Sequence, residues 1–284
     1  MRPLQGKPAL ARPIVDICRS LLQPLRCFPV KQSAAEISAR LPIKSATEVI
    51  RMDTPERFTD RAHAGKLLAQ ALLTYAGRAD VLVLALPRGG VPVGFAVAQA
   101  LGVELDIMLV RKLGLPGHAE YAMGAVGAGG VRVLQAGLVE SGRVSMKQIE
   151  EASAREMAEI ERRGRLYRAG RPPPQLAGRC IILVDDGIAT GATLRAAVEV
   201  VRRSHVARLV IAAPVGPPES VAALAGEVDE MVCLSAPLGF MAVSHWYRHF
   251  DQTADAEVQA LLAEAWRLQP ETGDPSCRTT PTPN

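Results

Sequence analysis

Two adjacent carboxylates, Asp185 and Asp186, follow a run of four apolar residues and precede a short turn rich in glycine and threonine. The apolar run, residues 181–184, predicts a buried strand, and the spacing after the turn predicts an amphipathic helix. The first N–H groups of such a helix attract a phosphate, and carboxylates accept hydrogen bonds from a sugar diol. The segment 181–193 therefore predicts a phosphosugar site, although an ordinary strand–turn–helix unit with a capping Asp has a similar pattern.

These thirteen residues resemble the phosphoribosyl pyrophosphate (PRPP) motif of type I phosphoribosyltransferases along their whole length. The resemblance implies that Asp185 and Asp186 hold the ribose 2′- and 3′-hydroxyls and reach Mg²⁺ through water. It also implies a PRPP-binding turn around the 5′-phosphate, formed by Gly187, Ala189, Thr190, Gly191, Ala192 and Thr193. Neither a Gly-Lys-Ser/Thr sequence nor a helix-opening G-x-G-x-x-G is present here, which argues against a Walker A loop and a dinucleotide fold.

A second segment resembles the pyrophosphate loop of the same family. Arg88 and Gly89 lie in the tetrapeptide 87–90, directly after the first predicted strand of the sheet. The guanidinium of an arginine offers a bidentate fork to a phosphate, and paired glycines expose backbone N–H groups. The resemblance implies that both residues bind PRPP, whereas an ordinary tight turn would have the same composition.

A third segment, residues 111–121, is polar, contains glycine and proline, and predicts a loop. Its first residues, Arg111 and Lys112, resemble the start of the mobile catalytic loop that closes over PRPP and excludes water. Glu120 in the same segment is a candidate acid or base toward the acceptor. The alternative is a solvated surface loop without a specific function.

The acceptor is less well specified than the donor. Members of the family that act on 6-oxopurines commonly have an Asp at the position of Ala189, so the chain resembles the adenine-type enzymes more closely there. Trp246 and Tyr247 belong to a cluster of aromatic residues in a chain with 4% aromatics. Such rings stack on a planar base, or they form a hydrophobic plug against the C-terminal helix; the sequence supports both alternatives equally.

Strands alternate with helices from residue 81 onward, which predicts an α/β fold with a doubly wound, mainly parallel sheet and a small C-terminal hood. Ligands of such sheets bind outside the carboxyl ends of the strands. This rule brings the segments 87–90, 111–121 and 185–193 around one crevice. The predicted domain comprises residues 53–268.

Composition limits the partners and the compartment. Residues 1–51 carry nine Lys or Arg against three Asp or Glu, whereas the rest of the chain carries 24 against 26. A folded part without excess positive charge argues against a nucleic-acid partner, and no apolar run approaches the ~18 residues that span a membrane. Five cysteines without C-x-x-C spacing are typical of a reducing cytoplasm. The oligomeric state stays open, with a homodimer among the alternatives.

Both ends of the chain predict little order. Residues 1–52 have scattered prolines and no sustained hydrophobic period, so we expect a disordered or loosely ordered extension. An organellar transit peptide, or translation that begins at Met52, are the alternatives. Residues 269–284 are rich in proline and threonine and predict a disordered tail.

Together these features predict a phosphoribosyltransferase that moves the phosphoribosyl group from Mg-PRPP to a nitrogenous acceptor, expected to be a nucleobase, and releases pyrophosphate. The alternative is a regulatory protein that binds PRPP and has lost the chemistry. Arg111 and Lys112 favour the enzyme, because a sensor has no need of a closing loop.

Overall fold

The computed structural model describes residues 56–115, 118–135, 137, 139, 142 and 144–268. The predicted extension, residues 1–52, and the predicted tail, residues 269–284, lie outside the described residues. Within the described part, the strands of the central sheet alternate with helices along the chain, as the hydrophobic pattern predicts.

The central sheet has five parallel strands. They are β1 (Val81–Ala85), β2 (Glu104–Ile107), β6 (Cys180–Val184), β7 (Arg208–Val215) and β8 (Glu230–Ser235), with three strands of a smaller sheet between β2 and β6 in the chain. Their order in the sheet is β2-β1-β6-β7-β8. Most of their residues are buried, as expected for a parallel sheet covered by helices. From β1 the chain continues to β2 on one side of the sheet, whereas from β6 it continues to β7 and then β8 on the other side. The point at which the strand order reverses therefore lies between β1 and β6.

The described residues include six α-helices, five of which cover the two faces of this sheet. They are α1 (Arg61–Ala71), α2 (Gly90–Leu101), α3 (Met146–Arg168), α4 (Ala192–Arg202), α5 (Pro218–Ala225) and α6 (Asp255–Leu268). On one face α1, α2 and α6 pack against side chains such as Val83; on the other, α4 and α5 pack against side chains such as Leu84. The long helix α3 begins at the predicted capping box, in which Ser145 and Gln148 bond to each other's backbone N–H groups. Helices on both faces confirm the predicted doubly wound α/β fold.

A small antiparallel sheet follows β2 and consists of β3 (Val110–Leu115), β4 (His118–Gly127) and β5 (Arg132–Leu134). The prediction of a loop over residues 111–121 is therefore wrong. Arg111 pairs with Val126 and Lys112 with Ala125 across the β3–β4 ladder. The strand forms because of a tertiary contact: the side chain of Leu113 is fully buried in the core. The polar residues around Leu113 gave no sign of this contact in the sequence.

Two further observations concern the charge and redox chemistry of the described residues. Cys180 and Cys233 are free and buried in β6 and β8, and burial raises the pKa of the Cys180 thiol to about 11 and that of Cys233 to about 12. Both thiols are therefore protonated and unreactive at neutral pH. Among the described helices, none combines the length and the apolar composition needed to cross a bilayer.

Candidate active site

The segments that follow β1 and β6 touch at the carboxyl edge of the sheet, where the strand order switches. The N–H of Leu86 donates to the carbonyl oxygen of Val184 at 2.9 Å, which holds the two segments in register. A Cβ at Gly90 would lie 2.7 Å from that same oxygen, and a Cβ at Gly89 would overlap Oδ2 of Asp186. The two glycines therefore allow the backbone after β1 to lie directly against the acidic pair, as the sequence predicts.

The acidic pair is half-buried and each carboxylate is bonded within the protein through one oxygen. Oδ1 of Asp185 accepts the N–H of Asp186 at 2.9 Å, and Oδ2 of Asp186 accepts Nε of Arg61 at 2.8 Å. Among the described residues, no donor reaches the second oxygen of either carboxylate, and neither of these oxygens is fully buried. Two acceptor oxygens therefore remain open side by side.

The environment disfavours the double negative charge of this pair. Desolvation, and then repulsion by Asp186, raises the pKa of Asp185 well above its usual range. Desolvation also raises the pKa of Asp186, although the guanidinium of Arg61 opposes that shift. A ligand that donates hydrogen bonds to the open oxygens would relieve this unfavourable burial.

The turn after the acidic pair presents backbone N–H groups at the start of α4. Gly191 adopts φ +72°, a left-handed conformation that glycine tolerates best. Two hydrogen bonds hold this turn against neighbouring segments. The N–H of Ile188 donates to the carbonyl oxygen of Val215 at 2.7 Å, and Oγ of Ser220 donates to the carbonyl oxygen of Ala189 at 3.0 Å. Within the described part of the chain, acceptors are missing for the N–H groups of Gly187, Ala189, Thr190, Gly191 and Thr193.

Of the two adjacent cations predicted in the third segment, Arg111 lies on the other side of the same edge, whereas the structure does not bring Lys112 to it. Arg111 lines a shallow, partly open cleft that also includes Pro87, Thr193 and Arg163. Nε of Arg111 donates to Glu156 on α3 at 2.7 Å, and Lys112 is exposed. The structure therefore brings Arg111 near the turn that contains Thr193.

Arg88 lies at the edge of this cleft and is about one-third exposed. Its Nη1 is 3.8 Å from Oδ1 of Asp255, and the hydroxyl of Tyr167 donates to the same carboxylate at 2.6 Å. Burial and this hydrogen bond raise the pKa of Tyr167 to about 12, so it remains a donor. The side chain of the predicted residue Glu120 lies outside what the structure describes.

Comparisons with known proteins agree with this geometry. Residues 57–239 match the family model described as the phosphoribosyl transferase domain. Two curated proteins of Mycobacterium tuberculosis, "Putative phosphoribosyl transferase Rv0571c" of strain H37Rv and its counterpart MT0597 of strain CDC 1551, are 46% identical over 216 residues. The solved structure of TT1426 from Thermus thermophilus is 45% identical with a TM-score of 0.67, and the match covers 73% of this chain and 98% of that one.

The chain belongs to the phosphoribosyltransferase family. The matches to the mycobacterial proteins cover 76% of this chain and 48% of theirs, so it spans about half the length of those relatives. The family model includes every strand of the central sheet and ends before Trp246. Sequence reasoning identified this family correctly because the motif at residues 181–193 carries most of its signal.

The aromatic cluster of this phosphoribosyltransferase domain packs as a plug. Tyr247 is 3% exposed, lies between Phe58 and Phe250, and donates its hydroxyl to the backbone oxygen of Asp186 at 2.6 Å. This packing favours the hydrophobic plug over base stacking for Tyr247, because both faces of its ring lie against other rings. Trp246 is half-buried against the core, and its indole Nε1 is buried without an acceptor among the described residues.

The acidic pair can supply only part of the ligand set of a Mg²⁺ ion, so the remaining ligands must come from water or substrate. Carboxylate oxygens suit Mg²⁺, but Arg61 already occupies Oδ2 of Asp186. In the described ranges, no three His, Cys, Asp or Glu side chains are grouped so that they could hold a metal. The donor set therefore suits an ion that keeps several waters and binds mainly to substrate phosphates.

Sequence reasoning missed Arg61 and Arg163. Asp60 marks the start of α1, since its side chain accepts the N–H of His63 at 2.8 Å. Nothing in the sequence, however, indicates that Arg61 contacts a residue 125 positions later. Arg163 belongs to a charged stretch of α3 in which neighbouring arginines such as Arg162 are exposed, so only the fold shows that it reaches the cleft.

Proposed function

We propose that this site binds Mg-PRPP and transfers its phosphoribosyl group to a nitrogen of a small acceptor, a nucleobase, with release of pyrophosphate. The observation that carries the proposal is the acidic pair, in which Asp185 and Asp186 each keep one oxygen open. Two adjacent acceptors match the two adjacent hydroxyls of ribose. The N–H groups of the turn 187–193 supply the donors that a 5′-phosphate needs.

In this proposal the bond from C1 of ribose to a pyrophosphate oxygen breaks, and the electron pair leaves with pyrophosphate. A bond from the acceptor nitrogen to C1 forms, and Glu120 is our candidate to receive the proton that this nitrogen loses. Arg88, Arg111 and Lys112 stabilise the negative charge that develops on the leaving group. Bound Mg²⁺ would supply further positive charge at the diphosphate.

The position of the cations supports this assignment of the leaving group. Arg88 follows β1 directly, and Arg111 lies in the cleft formed by Pro87 and Thr193. Pyrophosphate bound beside Gly89 would therefore lie between the acidic pair and these two guanidinium groups. The Arg88–Asp255 separation of 3.8 Å is long for a charged hydrogen bond, so Arg88 can turn toward a phosphate at little cost.

The direct test measures pyrophosphate release. Purified protein is incubated with PRPP, Mg²⁺ and one base at a time from adenine, guanine, hypoxanthine, xanthine, uracil and orotate. We expect release that depends on protein, on Mg²⁺ and on one of these bases, with adenine as the first candidate because of Ala189. Binding of PRPP by calorimetry should accompany it; a protein that does not bind PRPP contradicts the proposal.

A second prediction concerns the contact between the pyrophosphate loop and the acidic pair. Gly89→Ala places a methyl group against Oδ2 of Asp186, so the loop or the carboxylate must move. Overpacking of this kind costs about 1–3 kcal/mol, and we expect PRPP affinity to fall by about tenfold or more in calorimetry. Gly226→Ala is the matched control, since its Cβ would lie 3.5 Å from the nearest atom. Unchanged affinity of Gly89→Ala would show that substrate does not use this contact.

A further inference from the structure

We propose that Arg61, in the first turn of α1, is a positioning residue for the ribose diol: it orients Asp186 so that the open oxygen of this carboxylate meets a ribose hydroxyl. The inference rests on the proposed function, because it presumes that a phosphoribosyl ligand binds at the acidic pair. It adds a residue that lies outside the motif at 181–193 and comes from the N-terminal end of the domain.

Arg61 is fixed from three directions and has little freedom of its own. Its side chain is 12% exposed, and Nε donates to Oδ2 of Asp186 at 2.8 Å. Nη1 donates to the carbonyl oxygen of Asp251 at 2.7 Å. The guanidinium carbon lies 3.9 Å above the ring of Phe250. An arginine held by two hydrogen bonds and a stacked ring is a rigid reference point for the carboxylate that it contacts.

The bond from Arg61 determines which carboxylate oxygen of Asp186 remains available. With Oδ2 bound to Nε, Oδ1 is the oxygen of Asp186 that has no donor among the described residues, just as Oδ2 is in Asp185, whose Oδ1 accepts a backbone N–H. The backbone of Asp186 is fixed as well, since its carbonyl oxygen accepts the hydroxyl of Tyr247 at 2.6 Å. The side chain and the backbone of Asp186 are thus held by separate partners, and within the described ranges Arg61 is the donor that sets the rotation of the carboxylate.

Arg61 also lies close to the loop after β1. A Cβ at Gly89 would overlap Oδ2 of Asp186 and would lie 3.3 Å from Nε of Arg61, so a side chain there would disturb both partners of this ion pair. Lysine could replace the charge of Arg61, but not the planar fork that reaches Asp186 and Asp251 at once. This geometry distinguishes a residue that orients the carboxylate from one that merely neutralises it.

The test compares sugar phosphates that differ only in the diol. Calorimetry would measure the affinities of ribose 5-phosphate, 2-deoxyribose 5-phosphate and 3-deoxyribose 5-phosphate for the wild type, Arg61→Gln and Arg61→Lys. The wild type should prefer ribose 5-phosphate over at least one deoxy sugar. Arg61→Gln should reduce that preference by about tenfold, within the range for a hydrogen bond to a charged group, while the affinity for that deoxy sugar changes less than about twofold.

Two controls make the result decisive. Arg78→Gln removes an arginine that binds Asp80 before β1, at the opposite edge of the sheet, and should leave all three affinities unchanged. Asp186→Asn should lower the preference as Arg61→Gln does, and the double variant should lower it no further, because the two residues act as one unit. Thermal melts verify that each variant is folded. If Arg61→Gln does not fold, Arg61→Lys takes its place in the comparison of affinities.

Two other outcomes would overturn the inference in distinguishable ways. If Arg61→Gln weakens all three sugar phosphates equally, or leaves the preference intact, Arg61 only holds the structure together and the proposed function stands. If the wild type itself shows no preference for ribose 5-phosphate, the diol assignment fails and the proposed function fails with it.

Discussion

Replacing Asp185 and Asp186 together by Asn should remove most of the thermal stabilisation that we expect Mg-PRPP to give the wild-type protein. A ligand at one hundred times its Kd stabilises the native state by about 2.7 kcal/mol, which corresponds to a rise in Tm of about 5–10 °C for a domain of this size. The amide is nearly isosteric with the carboxylate but is a weaker acceptor and carries no charge. The ribose hydroxyls and the Mg²⁺ hydration shell therefore lose their strongest partners.

The same variant should keep its fold without ligand. Burial raises the pKa of both carboxyls in the folded protein. A carboxyl whose pKa is raised on folding contributes stability below its unfolded pKa, near 3.8 for Asp, and that contribution is lost as the pH rises through the folded value. At neutral pH the two charges together thus destabilise the fold, and their removal offsets the loss of the Arg61–Asp186 ion pair, so we expect the Asn variant to stay folded.

Scanning fluorimetry with and without Mg-PRPP measures both effects. Asp80→Asn, which changes an exposed aspartate before β1, is the matched control and should keep the full ligand-dependent shift. A double Asn variant that retains the wild-type shift would show that the diol binds elsewhere. A variant that melts far below the wild type without ligand would show that the pair stabilises the fold.

The strands and helices of the central sheet could be predicted from sequence because each is marked by the hydrophobic pattern of its own residues. Buried parallel strands such as β6 are continuous apolar runs, and the helices between them have a regular apolar period. The register of β1 beside β6, with Val83 opposite Ile182, is not local. The general rule for doubly wound sheets does not give this register, but it correctly brought residues 87–90 to the acidic pair.

The loop predicted over residues 111–121 and the alternatives left open for Tyr247 have a common physical origin, since each depends on partners far away in sequence. Residues 111–121 have the composition of a loop, yet β3 forms at their start because β4 offers a ladder and the core accepts Leu113. Tyr247 was a candidate for stacking, but its hydroxyl finds an acceptor at Asp186, 61 positions earlier, and its ring packs on Phe58. Tyr247 belongs to the core because its hydroxyl finds this acceptor. The hydrophobic pattern of the sequence gives no information about an acceptor so far away in the chain.

Replacing Arg111 and Lys112 together by Ala should reduce kcat by on the order of 10²-fold or more, if each cation acts as a donor of the oxyanion-hole type. Their charges matter most when pyrophosphate departs, so their interactions are stronger in the transition state than in the ground state. The affinity for PRPP should fall less, because the acidic pair and the turn 187–193 still hold the ribose and its 5′-phosphate. The bond from Arg111 to Glu156, at 2.7 Å, has to yield to the leaving group.

This variant also separates the enzyme from a regulator that binds PRPP without chemistry, since a regulator has no turnover to lose and only its affinity responds. The measurement is PRPP titration by calorimetry beside pyrophosphate release, with Arg132→Ala/Lys147→Ala as the control. Those two cations are exposed and lie on β5 and at the start of α3, so kcat should be unchanged. A kcat within about threefold of the wild type would exclude Arg111 and Lys112 from transition-state stabilisation, since a lost donor costs far more than that. Wild-type binding of PRPP without pyrophosphate release from any of the six bases would favour the regulator.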